Sequence, residues 1–228
     1  MTPRLYKILG IARKPRPSLE PLDRLKAGLA ERLGLSSLVH VGAHFGEERA
    51  DYEALGFTDV LWIEASPQDY RELAARLALP SGAATRHVAV NAFAADTGGK
   101  ALELRRFSNE GASSSMFPAT PLFSRIWPSV EDTGTIENVV TVTLDEIAVR
   151  SGFPNPDLLV VQGAELLVLK GGLSVLAAAK AVIVEVSRKP YYEGGVLYPE
   201  LRDFLLAHGS AEAHRAPDHG DQLYLRKS

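Results

Sequence analysis

Short apolar runs recur along this chain, and glycine turns and helical segments separate them. Four of these runs cover residues 38–41, 60–63, 158–161 and 181–186. Strands of this kind are typical of a parallel sheet that helices cover on both faces. The pattern therefore predicts an α/β fold with a doubly wound, Rossmann-like sheet, whose ligands bind beyond the carboxyl ends of the strands.

Further strands and a long polar loop complete the predicted domain. Apolar residues recur at 87–90 and 102–107, and a segment rich in serine, glycine and proline then continues to about residue 138. A loop of this length in a compact domain is usually a lid or a binding loop, or else disordered. We also predict a helix over residues 200–208 and a last strand over residues 222–225.

The amino-terminal segment is predicted to lie outside the sheet. Leucine recurs at helical spacing before Gly34, at positions 22, 25, 29 and 33, which predicts an amphipathic covering helix. Five basic residues precede the first acid, Glu20, and are typical of a solvated leader. We therefore predict a basic leader and covering helix over residues 1–36 and the main domain over residues 37–228.

The composition excludes several functional classes. The chain has no cysteine, so it has no thiolate nucleophile, disulfide or thiolate metal site, and a reducing cytoplasm suits it. Its 25 basic and 28 acidic residues give a net charge of −3, whereas broad nucleic-acid binding needs a basic surface. No run approaches the roughly 18 apolar residues that a membrane span needs. We therefore expect a cytoplasmic protein with no membrane span and no nucleic-acid partner.

A glycine turn and an acid predict a cofactor site. Gly42 and Gly46 stand where the first strand turns into its helix, so the backbone there bends tightly and approaches a ligand closely. Glu64 ends the second strand 22 residues after Gly42, close to the separation at which an acid binds two ribose hydroxyls. The pattern favours a nucleoside-containing cofactor, although a glycine turn and an unrelated acid also coincide by chance in doubly wound proteins.

The charge at this turn distinguishes between cofactors. Glu47 and Glu48 open the following helix, where they would repel the diphosphate of a dinucleotide. The third glycine of the dinucleotide fingerprint is absent, because Glu48 and Arg49 occupy the positions where it would fall. S-Adenosylmethionine has a ribose but no phosphate, and its sulfonium is a cation. It is therefore favoured over a nicotinamide dinucleotide, the cofactor of the alternative oxidoreductase interpretation.

Residues 40–46 (HVGAHFG) and 63–67 (IEASP) resemble the cofactor-binding half of the FkbM family of S-adenosylmethionine-dependent methyltransferases. The resemblance extends over residues 37–209, with further motifs in the same order at 91–92, 111–116, 142–145, 162–166 and 169–171. It implies a class I methyltransferase domain over residues 37–228, with a mostly parallel sheet and an antiparallel C-terminal strand. It also implies O-methylation of a hydroxyl on a small-molecule or glycan acceptor, such as a sugar, a cyclitol or a polyketide-like compound.

The resemblance and the strand ends together indicate candidate site residues. Glu165 follows the strand predicted over residues 158–161, and it or His44 is predicted to act as the base or to bind the acceptor. Alternatively, Glu165 only favours a helix N-terminus, and His44 is only packed in its turn. The predicted acceptor-binding residues are Ser113, Ser114, Ser115 and Glu185, although the serines also suit a simple linker. The predicted cofactor-binding residues are Gly42, Ala43, His44, Gly46, Glu64, Ala65, Asn91 and Gln162.

Aromatic residues accompany these candidates. Phe117, Phe123 and Trp127 follow the serines, and we interpret them as anchors of the loop on the core rather than as a stacking surface for a sugar. Tyr191 and Tyr192 follow the strand predicted over residues 181–186 and are predicted to form a wall of the acceptor pocket.

Two residues depart from the family pattern. His40 stands where members commonly have an acid, and Val160 stands where they typically have an aspartate. A non-catalytic relative that binds the cofactor is therefore a second interpretation. We predict no required metal, because the available ligands lack a diagnostic spacing; these are His40, His44, Asp145, Glu165 and Glu185.

Overall fold

The computed structural model describes residues 20–227 of the chain. Its strands are β1 (Ser37–Val41), β2 (Asp59–Glu64), β3 (Arg86–Asn91), β4 (Phe93–Ala95), β5 (Ala101–Phe107), β6 (Asp132–Thr143), β7 (Leu158–Val161), β8 (Ala181–Ser187), β9 (Ser210–Glu212) and β10 (His219–Arg226). Its α-helices are α1 (Glu20–Arg24), α2 (Ala30–Leu33), α3 (Arg49–Ala54), α4 (Pro67–Leu77), α5 (Pro121–Ile126), α6 (Leu144–Ser151), α7 (Glu165–Lys170), α8 (Leu173–Ala178) and α9 (Tyr198–Ala207). A π-helical segment, Leu25–Leu29, joins α1 to α2.

Seven strands form the central sheet, in the order β3-β2-β1-β7-β8-β10-β9. The first five strands in this order are parallel to their neighbours, whereas β10 is antiparallel to both β8 and β9. The strand order reverses between β1 and β7, which makes their carboxyl ends the topological switch point. The prediction of a doubly wound, mostly parallel sheet with an antiparallel C-terminal strand is confirmed.

Apolar side chains cover both faces of this sheet. Val39 belongs to one buried cluster, whereas Leu38 and Trp62 belong to another, because successive residues of a strand point to opposite faces. Leu22 and Leu25 pack into the second cluster, so the amino-terminal helical segment covers that face. The basic leader that we predicted before this segment lies outside the described residues. Among residues 20–227, no helix is long and apolar enough to cross a membrane.

The long loop predicted up to residue 138 is shorter than expected. A three-stranded sheet, in the order β4-β6-β5, and helix α5 occupy part of this region. The prediction missed β6 altogether, and its first half is largely exposed and has no regular apolar alternation. It is held by antiparallel pairing with β5, a cross-strand interaction that local sequence does not encode. The sequence prediction also omitted β4, β9, α6 and α8.

Candidate functional site

A cavity of about 840 Å³ lies at the carboxyl ends of the parallel strands. Doubly wound sheets bind ligands in this position, where loops from neighbouring strands converge. The turn after β1, the end of β2, the serine-rich segment and the residues after β7 all contribute to its walls. The predicted site residues that line it are Gly42, Ala43, His44, Glu64, Ala65, Ser113, Ser114, Ser115, Gln162, Glu165 and Glu185.

Two predicted cofactor-binding residues, Gly46 and Asn91, do not line this cavity. A Cβ atom at Gly46 would lie 2.9 Å from the side chain of Leu73, so this glycine allows the turn to pack against α4. The Asn91 amide donates hydrogen bonds to the backbone carbonyls of Glu64 and Ala65, at 2.8 Å and 3.1 Å. Both residues stabilise the backbone near the carboxyl ends of the strands instead of facing the cavity.

Gly42 is required by the close approach of β1 and β7. Its φ is +77°, and a Cβ atom there would lie 1.9 Å from the backbone carbonyl oxygen of Gln162. The backbone N–H of Gln162 also donates a hydrogen bond to the backbone carbonyl oxygen of Val41 at 3.0 Å. The glycine therefore brings the turn after β1 against the segment after β7, and the two together form the centre of the cavity wall.

Glu64 is a buried carboxyl group at the end of β2. Only 8% of the residue is exposed, and its two oxygens accept hydrogen bonds from the backbone N–H groups of His44, at 2.7 Å, and Ser66, at 2.8 Å. Burial raises the pKa of Glu64 to about 7, although these two hydrogen bonds oppose the shift. Each oxygen has a second lone pair, so the ionised group is suited to accept hydrogen bonds from two vicinal hydroxyls.

His44 connects the glycine turn after β1 to the segment that contains Ser113, Ser114 and Ser115. Its Nδ1 lies 2.9 Å from Glu47 Oε1, and its Nε2 lies 3.1 Å from the backbone carbonyl oxygen of Glu110. Both partners are acceptors, so the two contacts are satisfied together when both ring nitrogens are protonated. Burial opposes the charge, but these hydrogen bonds outweigh it and raise the pKa of His44. This arrangement favours an imidazolium and makes His44 poorly suited to accept a proton.

Three carboxyl groups, Glu165, Glu185 and Asp221, line the cavity near the carboxyl ends of β7 and β8 and interact electrostatically. Glu165 accepts a hydrogen bond from the Gly163 N–H at 2.6 Å. Asp221 on β10 is directly opposite Glu185 on β8, so the two side chains lie on the same face. Burial, reinforced by the charge of Glu185, raises the pKa of Glu165 well above its usual range and that of Asp221 to about 7. Burial also raises the pKa of Glu185, so the cluster retains protons near neutral pH.

The three predicted serines differ in their hydrogen bonding. The Ser113 hydroxyl accepts a hydrogen bond from the Asn109 amide at 2.8 Å, and the Ser115 hydroxyl accepts one from the Phe117 N–H at 3.0 Å. The Ser114 hydroxyl oxygen is buried and has no hydrogen-bond partner within the described part of the chain. Ser114 is therefore the serine whose hydroxyl group is not already engaged within the described residues.

Aromatic contacts attach the segment after the serines to the main sheet. Phe123 is 3% exposed, and its ring centroid lies 5.0 Å from that of Trp127 and 5.3 Å from that of Tyr192. Trp127 contacts Tyr191 at 4.8 Å, and the Tyr192 hydroxyl donates to the Ser113 carbonyl at 3.1 Å. These contacts agree with an anchoring role for Phe123 and Trp127, and they position both tyrosines along the cavity wall.

The sequence of residues 40–211 matches the family described as the methyltransferase FkbM domain. The chain belongs to the FkbM methyltransferase family. The matched region includes the turn after β1 and the acids Glu64, Glu165 and Glu185. The resemblance predicted from the motifs is thereby confirmed, and the nicotinamide-dependent oxidoreductase interpretation is set aside. The methyl donor is S-adenosylmethionine.

Solved methyltransferase structures resemble this FkbM chain. Methyltransferase FkbM from Methylobacillus flagellatus KT has a TM-score of 0.53 and 16% identity, over 84% of this chain and 43% of that one. The chain therefore spans less than half the length of that relative, and at this identity the likeness shows the fold alone. The magnesium protoporphyrin IX methyltransferase from Synechocystis PCC 6803, solved with bound S-adenosylmethionine, has a TM-score of 0.49 and 10% identity, over 92% and 77% of the two chains. No curated protein matches the sequence.

The cavity walls of this FkbM domain fit the methyl donor. The buried Glu64 carboxyl matches a ribose, and Glu47 and Glu48 both line the cavity beside the turn. Carboxylates at this position attract a sulfonium cation and repel a diphosphate, as expected from the sequence. When bound, S-adenosylmethionine supplies an electrophilic methyl group on a positively charged sulfur.

The side chains that we considered as metal ligands from the sequence are not gathered into one centre. His40 is buried between Tyr52 and Gln162, whereas the Asp145 carboxylate accepts hydrogen bonds from two backbone N–H groups at the start of α8. Within residues 20–227, no group of three or more His, Cys, Asp or Glu side chains has an arrangement that could hold a metal ion.

Sequence reasoning missed Asp221 as a site residue. The last strand was predicted to begin at residue 222, whereas β10 begins at His219. The apolar character of this strand starts only after Asp221, so periodicity alone does not reveal its first residues. Antiparallel pairing with β8 adds these residues to the strand and brings Asp221 opposite Glu185.

Proposed function

We propose that this FkbM domain transfers the methyl group of S-adenosylmethionine to a hydroxyl oxygen of a sugar, cyclitol or polyketide-like acceptor. The supporting observation is that one cavity combines Glu64, suited to a ribose, with the acids Glu165, Glu185 and Asp221, whose pKa values are all raised. Methyl transfer to oxygen is an in-line displacement, so the protein has to align the hydroxyl and accept its proton. A buried acid cluster beside the cofactor end supplies both functions.

Glu165 is the proposed base. Burial raises the pKa of Glu165, so its ionised form accepts a proton more readily than an ordinary surface carboxylate does. Its hydrogen bond from the Gly163 N–H orients one oxygen and leaves the other for the acceptor hydroxyl. His44 is the weaker candidate, because both of its ring nitrogens already face acceptors.

The acceptor is proposed to be a neutral polyhydroxyl compound. Hydroxyl groups donate hydrogen bonds to carboxylates, and Glu185 and Asp221 offer such acceptors next to the proposed base. Ser114, which also lines the cavity, adds a neutral hydroxyl without a partner among the described residues. A phosphate or carboxylate on the acceptor would meet the like charges of Glu165, Glu185 and Asp221, which is unfavourable.

The departure from the family pattern at Val160 does not alter the cavity walls. Val160 has no exposed surface and belongs to an apolar cluster beneath the sheet, and it is not among the residues that line the cavity. This observation supports the catalytic interpretation over the non-catalytic one, because the groups proposed for proton removal and cofactor binding are all present.

Methyl transfer from radiolabelled S-adenosylmethionine to a panel of neutral sugars, cyclitols and polyketides tests the proposal. We expect a labelled O-methyl product with neutral acceptors and none with their phosphorylated counterparts. Glu165→Gln is expected to lower kcat by about 10²- to 10⁴-fold while S-adenosylhomocysteine still binds. Methyl transfer to nitrogen or carbon, or full activity of Glu165→Gln, would overturn the proposal. Cofactor binding without turnover of any acceptor would favour the non-catalytic relative.

A further inference from the structure

A buried hydrogen-bond chain lies behind the cavity wall. The Tyr52 hydroxyl oxygen of α3 lies 3.1 Å from Nδ1 of His40, and Nε2 of His40 lies 3.2 Å from Oε1 of Gln162. His40 has no exposed surface, and Tyr52 has 1%. Gln162 lines the cavity, so the chain runs from the interior of the domain to the wall.

The chemistry of the partners determines where the protons lie in this chain. Oε1 of Gln162 only accepts hydrogen bonds, so Nε2 of His40 must carry a proton to donate to it. Nδ1 of the neutral ring then accepts from the Tyr52 hydroxyl. Burial lowers the pKa of His40, which keeps the ring neutral and consistent with one proton. This proton arrangement satisfies the three side chains together.

Strand β1, which carries His40, and the turn that follows it also hold the main chain of Gln162. Its N–H donates to the carbonyl of Val41, and Gly42 leaves no space between the two backbones. Its side-chain oxygen faces His40, and the polar end of its side chain partly opposes the raised pKa of Asp221. Three successive residues of the chain, from His40 to Gly42, thus restrict both the backbone and the amide of Gln162.

We infer that Tyr52 and His40 are positioning residues that hold the Gln162 amide with its NH2 group toward Asp221 and the cavity. Gln162 therefore offers N–H donors to a ligand, and the ligand atom that it contacts is an oxygen with a free lone pair. Rotation of the amide by half a turn would place its carbonyl next to the Asp221 carboxylate, which is unfavourable. The inference rests on the proposed function, because it takes this cavity as the site of methyl transfer.

The chain contains a matched control in His87. Trp62 Nε1 donates to Nδ1 of His87 at 3.1 Å, and Nε2 of His87 lies 3.0 Å from Glu53 Oε1. Both imidazoles lie next to the Trp62 ring, with centroid distances of 5.5 Å for His40 and 6.0 Å for His87. The hydrogen bonds of His87 lead to Glu53, which does not line the cavity. Replacement of His87 therefore removes a comparable buried imidazole without affecting Gln162.

The first test is nuclear magnetic resonance of the full chain, which does not depend on turnover. Long-range proton–nitrogen spectra are expected to show His40 protonated only at Nε2 between pH 5 and pH 8. Carbon spectra of the Asp221 carboxyl group, assigned with Asp221→Asn, follow the titration of this acid. In His40→Phe its titration midpoint is expected to lie about one pH unit higher than in the unmodified protein, because the Gln162 amide no longer stabilises the ionised carboxylate. The acids that also face Asp221 are Glu48, Glu165 and Glu185.

The variants separate positioning from folding. Tyr52→Phe is expected to shift the Asp221 titration in the same direction, and His40→Gln is expected to restore it, because an amide at position 40 donates to Gln162. His87→Phe is expected to leave the titration unchanged at a similar loss of stability in urea. Protonation of His40 at Nδ1, or equal Asp221 titrations in His40→Phe and His87→Phe, would overturn the inference. A failure of methyl transfer with these titrations as expected would overturn only the proposed function.

Discussion

The burial of Glu64 makes nucleoside binding sensitive to pH. Its pKa of about 7 means that the carboxyl group is about nine-tenths ionised at pH 8 and about one-tenth ionised at pH 6. The ribose hydroxyls donate to the ionised form, whereas protonation removes an acceptor and adds a donor. The affinity for a nucleoside therefore falls as the pH falls through 7, and Kd is expected to rise about tenfold between pH 8 and pH 6.

Isothermal titration with adenosine measures this effect, since adenosine has the ribose but none of the titrating groups of the amino-acid part of the cofactor. Glu64→Gln is expected to bind adenosine about ten- to a hundredfold more weakly at pH 8, with a Kd that is constant from pH 6 to pH 8. Asp221→Asn is the matched control, because Asp221 also has a pKa of about 7 but lies on β10, whereas Glu64 ends β2. This variant is expected to retain the tenfold change.

A constant adenosine Kd in the unmodified protein between pH 6 and pH 8 would refute this reasoning. The same conclusion would follow if Glu64→Gln retained the pH dependence, or if Asp221→Asn abolished it. The last result would assign the titration to the acid cluster beyond β7 and β8 instead of to the cofactor end.

Three further substitutions, and a fourth that serves as a control, test other contacts. Asp157→Asn removes a carboxylate that accepts four hydrogen bonds from two neighbouring serines, and urea unfolding is expected to show a loss of about 2–3 kcal/mol with unchanged adenosine binding. Arg106→Ala leaves the Asp69 side chain, 2% exposed, without its bidentate partner, and thermal unfolding is expected to show a loss of about 3–5 kcal/mol. Gly42→Ala puts a Cβ 1.9 Å from a carbonyl oxygen and is expected to prevent native folding. In the control Gly56→Ala the new Cβ meets no atom within 4 Å, and the free energy of unfolding is expected to fall by about 1 kcal/mol. Circular dichroism measures both variants. Equal losses in the two glycine variants would contradict the close approach of β1 and β7.

Features that depend on neighbouring residues were predictable from the sequence. The Ser66 hydroxyl accepts a hydrogen bond from the Asp69 N–H at the start of α4, and the local sequence Ser-Pro-Gln-Asp is itself typical of a capped helix start. The apolar strands of the central sheet lie where uninterrupted apolar runs predicted them, because a buried strand needs apolar side chains on both faces. The first half of β6 was not predictable in this way, because its stability comes from pairing with a distant strand.

The sequence by itself determined the α/β fold and the family, since these depend on local patterns and on motifs in a set order. Only the tertiary structure decided the state of the groups in the site. Glu110, distant in sequence, supplies the carbonyl that favours a charged His44, and antiparallel register brings Asp221 opposite Glu185. The raised pKa values arise from burial and from neighbouring charge, and both depend on residues that only the folded chain brings together.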